Sequence, residues 1–117
     1  MNLNEQIQHV ELSLEEAQKI IAFGEAIQRL ESNQDFQKVI FDGYFTNEAK
    51  RLVFLSADDA LNPESQNAVW AGIRAIGELR GFLQNSKAMG EFARKEVEDH
   101  KETLDELREI ESKEGEI

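Results

Sequence analysis

Residues 3–21, LNEQIQHVELSLEEAQKII, place Leu3, Ile7, Val10, Leu14, Ala17 and Ile21 in steps of four, three, four, three and four. Apolar side chains repeating every 3.5 residues line one seam of an α-helix, the pattern that lets two helices wind around each other. The same steps return near the other end of the chain, through Ala93, Val97, His100, Leu104, Leu107 and Glu111. Two heptad stretches of similar length predict antiparallel pairing, with Ile7 by Leu107, Val10 by Leu104, Leu14 by His100, Ala17 by Val97 and Ile21 by Ala93. Leu14 against His100 is a polar flaw of the kind that can fix register. The expected fold is all-α: an antiparallel coiled-coil hairpin, a stalk of residues 3–31 and 88–111, carrying a small helical head of residues 34–83, all within one helical domain of residues 1–111. Residues 112–117, rich in Glu and Gly, are expected to form a flexible acidic tail.

Between the two heptads the reading rests on caps and breakers. After Ile21 the stripe drifts to Phe23, Ile27 and Leu30, so one helix of about 43 Å runs from Leu3 to Glu31. Ser13 with Glu16 is an internal capping box that offers Leu14 as another start, but the unbroken heptad favours the longer helix. Ser32 and Asn33 interrupt the pattern and cap a short helix, residues 34–42, which Gly43 would end in the left-handed conformation. Tyr44 and Phe45 are then a connection, and Thr46 caps a helix of residues 47–57 with Ala49, Leu52, Val53 and Leu55 inward. Pro63, the sole proline, follows Asn62, a good cap and first position for a helix that reaches about Glu111. Gly72, Gly77, Gly81 and Gly90 lie inside it, each costing about 1 kcal/mol against alanine, so they predict close packing or a kink, residues 84–87 being the expected break.

The 117 residues contain 24 acidic and 13 basic side chains and no cysteine, for a net charge of −11. Absence of Cys excludes disulfides, thiolate metal ligands and thiol nucleophiles. The acidic excess argues against contact with nucleic-acid phosphate or an anionic membrane surface. No apolar run approaches the length of a membrane span and residues 1–10 lack a secretory leader pattern, so a soluble protein that is not exported is expected. The charge is uneven: residues 1–33 sum to −4, residues 34–62 to −2, residues 63–90 to +1 and residues 91–117 to −6. Acid therefore belongs to the two terminal helices, where Glu and Lys alternate at helical spacing as on a solvated face.

Residues 68–83 are apolar on more than one face, which requires burial on both sides. Self-association or docking on another protein is the expected use, with Trp70, Ile73, Gly77, Gly81, Phe82, Tyr44 and Phe45 as candidate contact residues, although Trp70, Tyr44 and Phe45 read more readily as core than as anchors. His9 and His100 stand in Glu5–His9 and Glu96–His100 pairs at i, i+4, better read as exposed ion pairs than as metal ligands. No phosphate loop, nucleophile elbow or paired catalytic carboxylate is present, so no catalytic residue, cofactor or metal is expected and the chain is read as a non-enzyme.

The central pattern, Leu30, Asn33, Phe36, Val39, Ile40, Gly43-Tyr44-Phe45, Glu48-Ala49, Arg51-Leu52-Val53, Leu55, Ala57-Asp58 and later Ile73, Ala75-Ile76, Leu79-Arg80 and Phe82-Leu83, resembles small acidic helical proteins that tailed bacteriophages encode among their head and tail morphogenesis genes. The resemblance covers roughly residues 10–110 and rests on packing positions. It implies a virion or assembly component, associated with capsid, connector (portal) or scaffold, present in the host cytoplasm during assembly and in the virion if retained. From another class comes an acidic inhibitor that mimics nucleic acid through residues 91–111 to block a host nucleic-acid-binding enzyme. A third reading is a heterodimeric adaptor that uses the terminal helices alone.

Overall fold

A computed structural model describes residues 1–115 as helices joined by short turns: α1 (Leu3–Glu31), α2 (Gln34–Phe36), a π-helical segment (Gln37–Glu48), α3 (Ala49–Ser56) and α4 (Pro63–Gly115), with no strand among the described residues. Helix α1 starts at Leu3 and not at Leu14, because Asn2 and Glu5 form a reciprocal capping box: the Glu5 N–H donates to Asn2 Oδ1 at 2.8 Å and the Asn2 N–H to Glu5 Oε2 at 3.3 Å. Helix α4 begins as its sequence suggests, with the Ser65 N–H donating to Asn62 Oδ1 at 2.8 Å and Pro63 in the first turn. Asn62→Ala is expected to cost about 1 kcal/mol in chemical denaturation, with the denaturant slope unchanged.

The segment after α1 departs from expectation. Asn33 is extended (φ −73°, ψ 131°) and its Oδ1 accepts from the Phe36 N–H at 3.0 Å, so a helix does start there. It does not stop at Gly43: no described residue has positive φ, and the chain stays helical from Gln34 to Ser56. Instead the turns widen to i, i+5 spacing over Gln37–Glu48. That spacing stacks Phe36 edge-on against Phe41, ring centroids 5.4 Å apart, and turns Thr46 from a cap into a donor, its Oγ1 bonding the Phe41 carbonyl at 2.9 Å. At Gly43 a Cβ would lie 3.4 Å from the Lys38 carbonyl, five residues back, an ordinary contact, so this glycine continues the widened turn rather than terminating it. Tyr44 and Phe45 are helical residues, and no connecting loop exists at that point.

Helix α4 also runs on without a break at residues 84–87 and continues past Glu111 to Gly115. The remainder of the expected flexible tail, residues 116–117, lies outside the described residues.

The chain divides into two compact units, residues 1–26 with 86–117, and residues 27–85. In the first unit, Ile7, Val10 and Leu104 form one buried cluster, joined by partly buried Leu3, Leu14 and Leu107. Ala17, Ala93 and Val97 form another, joined by Leu14, Ile20 and Ile21. Contacts step down α4 as they step up α1. Farther along, a pair of glycines lets the two backbones come together: a Cβ on Gly24 would lie 3.3 Å from the Ser86 carbonyl oxygen and 3.4 Å from Gly90 Cα. Arg94 to Glu25 (2.9 Å) and Arg108 to Glu11 (3.0 Å) bridge the two helices from exposed positions, where an ion pair adds little energy. In the second unit Leu52, Val69 and Ile76 form the core, flanked by Tyr44, Phe45, Ala49, Leu55, Leu61 and Ile73. Val53, expected inward, is 55 % exposed, because burying Leu52 on α4 turns its neighbour out.

Candidate interaction surfaces

Helix α4 buries Val69, Ile76 and Leu83, seven residues apart, on one face within residues 63–85. Ile73, Tyr44 and Phe45 pack against this core. Trp70 does not: it is 49 % exposed. At 3.6 residues per turn, Trp70, Gly77 and Gly81 lie within about 40° of one another around the helix axis, and Phe82, 53 % exposed, points elsewhere. The structure thus brings Trp70, Gly77 and Gly81 onto one outward lane and places the other candidate residues off it.

The glycines of α4 fall into two kinds. Gly72 makes room for Leu52, whose Cδ1 would stand 3.0 Å from an added Cβ, and Gly90 makes room for Gly24. Gly77 and Gly81 have nothing within 4 Å of an added Cβ. Among the described residues, no close contact at these two positions offsets their helix-weakening effect.

A second surface lies in the first unit. Two open troughs share Glu16 and Ile20 and run along one side of the helix pair. Their walls include Leu12 (63 % exposed), Ile20 and Met89 (56 % exposed), and their rims Glu16, Glu96, His9 and His100. Nothing in the linear pattern points to these troughs, because they depend on which flanking residues stand beside the seam in the paired helices. In the second unit a shallow hollow is lined by Val39, Ile40, Gly43, Tyr44, Glu48 and Leu79. All three are open depressions lined by a mixture of half-buried and exposed side chains, unlike the clefts that bury most of a small ligand.

Among the described residues, no polar or charged side chain is buried, and no group of three His, Cys, Asp or Glu is placed to hold a metal ion. The Arg51 guanidinium is held above its usual range first by its hydrogen bond to Glu48 and then by that carboxylate's charge. A group already cationic at neutral pH, raised further, keeps its charge until strongly alkaline solution, so this pair gives no switch near neutrality. No helix among the described residues is long and apolar enough to cross a membrane.

No protein-family model matches this chain, and neither a curated protein nor a solved structure matches it. Its class, an all-helical protein with an open helical face, therefore comes from its own geometry.

Proposed function

We propose that this chain is a non-enzymatic component of a tailed-bacteriophage particle or of its assembly, working by contact between helices. The observation that carries the contact is the lane of Trp70, Gly77 and Gly81: a half-exposed indole beside two mid-helix glycines that nothing in the chain fills. Each glycine weakens its helix by about 1 kcal/mol relative to alanine, and close approach by an outside helix offsets that loss. A second copy of the chain is the first partner in this reading, and a capsid or connector protein the next; nucleic acid and membrane have no part in it. The phage assignment draws on the resemblance of residues 10–110 to small acidic phage morphogenesis proteins. In this reading the protein acts in the host cytoplasm during assembly, and in the virion if it is retained there.

In the same reading, the first unit is an antiparallel coiled-coil hairpin that serves as a solvated stalk. The buried clusters fall on the heptad positions of both helices, and that unit carries 16 acids against seven bases while residues 27–85 carry eight against six. The bases at Arg94 and Arg108 break up the acidic surface, which weakens the alternative of a nucleic-acid mimic.

Substitution tests the contact. Gly77→Leu with Gly81→Leu fills the lane without touching the core, so association measured by sedimentation should weaken while circular dichroism and thermal stability hold. Equal sedimentation of the double variant and the parent would remove the claim.

A further inference from the structure

Helix α3 is the one short helix whose outward face is both apolar and cationic. Ala49–Ser56 contains Lys50 and Arg51 and no acid. Leu52 is buried, which directs Phe54, two residues on, nearly the opposite way: it is 78 % exposed, and Val53 beside it 55 %. Lys50 is exposed, one helical turn before Phe54, and makes no ion pair among the described residues. Nothing in the second unit's core requires a phenylalanine at this position.

The troughs of the first unit are the complement. They offer apolar walls at Leu12, Ile20 and Met89 with Glu16 and Glu96 at the rim, and Glu96, like Lys50, makes no ion pair among the described residues. The unit around them has nine more acids than bases. Such a surface repels acidic segments and favours a helix that presents an aromatic anchor with a cation one turn away.

We propose that the Phe54 face of α3 in one copy of this chain docks in the trough of a second copy that Leu12, Ile20, Glu96 and His100 line, Phe54 entering against Leu12 and Ile20 and Lys50 meeting Glu96. The occupant is a second copy because the chain itself supplies the matching cation and anchor, on a helix with no acid to be repelled. The two halves of the contact are different surfaces, so the association is head-to-tail, closing into a ring or continuing as a filament. It uses neither Trp70 nor the Gly77–Gly81 lane, and its failure would leave that reading untouched.

A photo-crosslinking amino acid at position 54, mixed with an isotopically heavy parent chain, tests this directly. The expected product joins position 54 of the light chain to residues 9–23 or 86–100 of the heavy chain, the segments that line the troughs. Leu12→Lys in the heavy chain should cut the yield about tenfold or more, since an exposed wall residue changes from apolar to a cation that repels Lys50 and Arg51 without entering the core. Products confined to one chain, products joining position 54 to residues 27–85 of the heavy chain, or a yield indifferent to Leu12→Lys would each overturn the proposal, as would a parent chain that gives no intermolecular product.

Discussion

Gly24→Leu and Gly90→Leu are each expected to lower the midpoint of thermal unfolding by roughly 10 °C, although leucine is the better helix former. At both sites the added Cβ would meet backbone of the facing helix at 3.3–3.4 Å, with no flexible side chain to give way, and the rest of the leucine has nowhere to go without separating α1 from α4. Overpacking of that kind costs about 1–3 kcal/mol, more than propensity returns. Gly77→Ala and Gly81→Ala provide the contrast: each faces open space, so each should stabilise the folded monomer by up to about 1 kcal/mol. If leucine at positions 24 and 90 were as harmless as alanine at positions 77 and 81, the close approach of the two helices would be wrong.

Leu52→Ala is the other large expected effect. Leu52 is 8 % exposed, packs with Val69 and Ile76, and fills the space that Gly72 leaves open on α4. Truncation removes buried methyl groups and leaves a cavity that helix backbones on either side cannot close, a loss of about 3 kcal/mol in urea unfolding. Phe54→Ala, two residues away on the exposed side, should change stability by less than about 0.5 kcal/mol. A comparable loss at both positions would mean that α3 packs in another orientation.

The contrast between these neighbours marks how far the sequence could be read. Ile7, Val10, Ala17, Ala93, Val97 and Leu104 stand at heptad positions and are buried, because a periodicity repeated over several turns records a helix face directly. The start of α4 at Asn62-Pro63 was equally plain, since cap chemistry is local. Gly43 and Thr46 misled for the converse reason: a glycine after a short helix and a threonine before another carry stop and start signals, yet stacking of Phe36 on Phe41 and packing of Tyr44 and Phe45 on the core carry the helix through both. Local preferences of a kcal/mol or less yield to such tertiary contacts.

Of the contact surface, the lane was only partly legible. Trp70, Gly77 and Gly81 were visible as candidates, but a helix apolar on several sides does not reveal which side its own chain covers. Ile73, Tyr44 and Phe45 went to the core and the two glycines did not. Gly24 had no sequence signal at all, because its significance lies in Gly90 across the helix pair, 66 residues away in the chain. Phe54 likewise read as one more apolar residue until Leu52 fixed the orientation of α3.

Trp70 is the only tryptophan in the protein, so its fluorescence reports on the proposed lane and on no other surface. Emission recorded from nanomolar to near-millimolar protein should move to shorter wavelength as concentration rises and the indole leaves water, and should stay at long wavelength throughout in the Gly77→Leu, Gly81→Leu variant. An emission maximum independent of concentration in the parent chain would contradict self-association through this face.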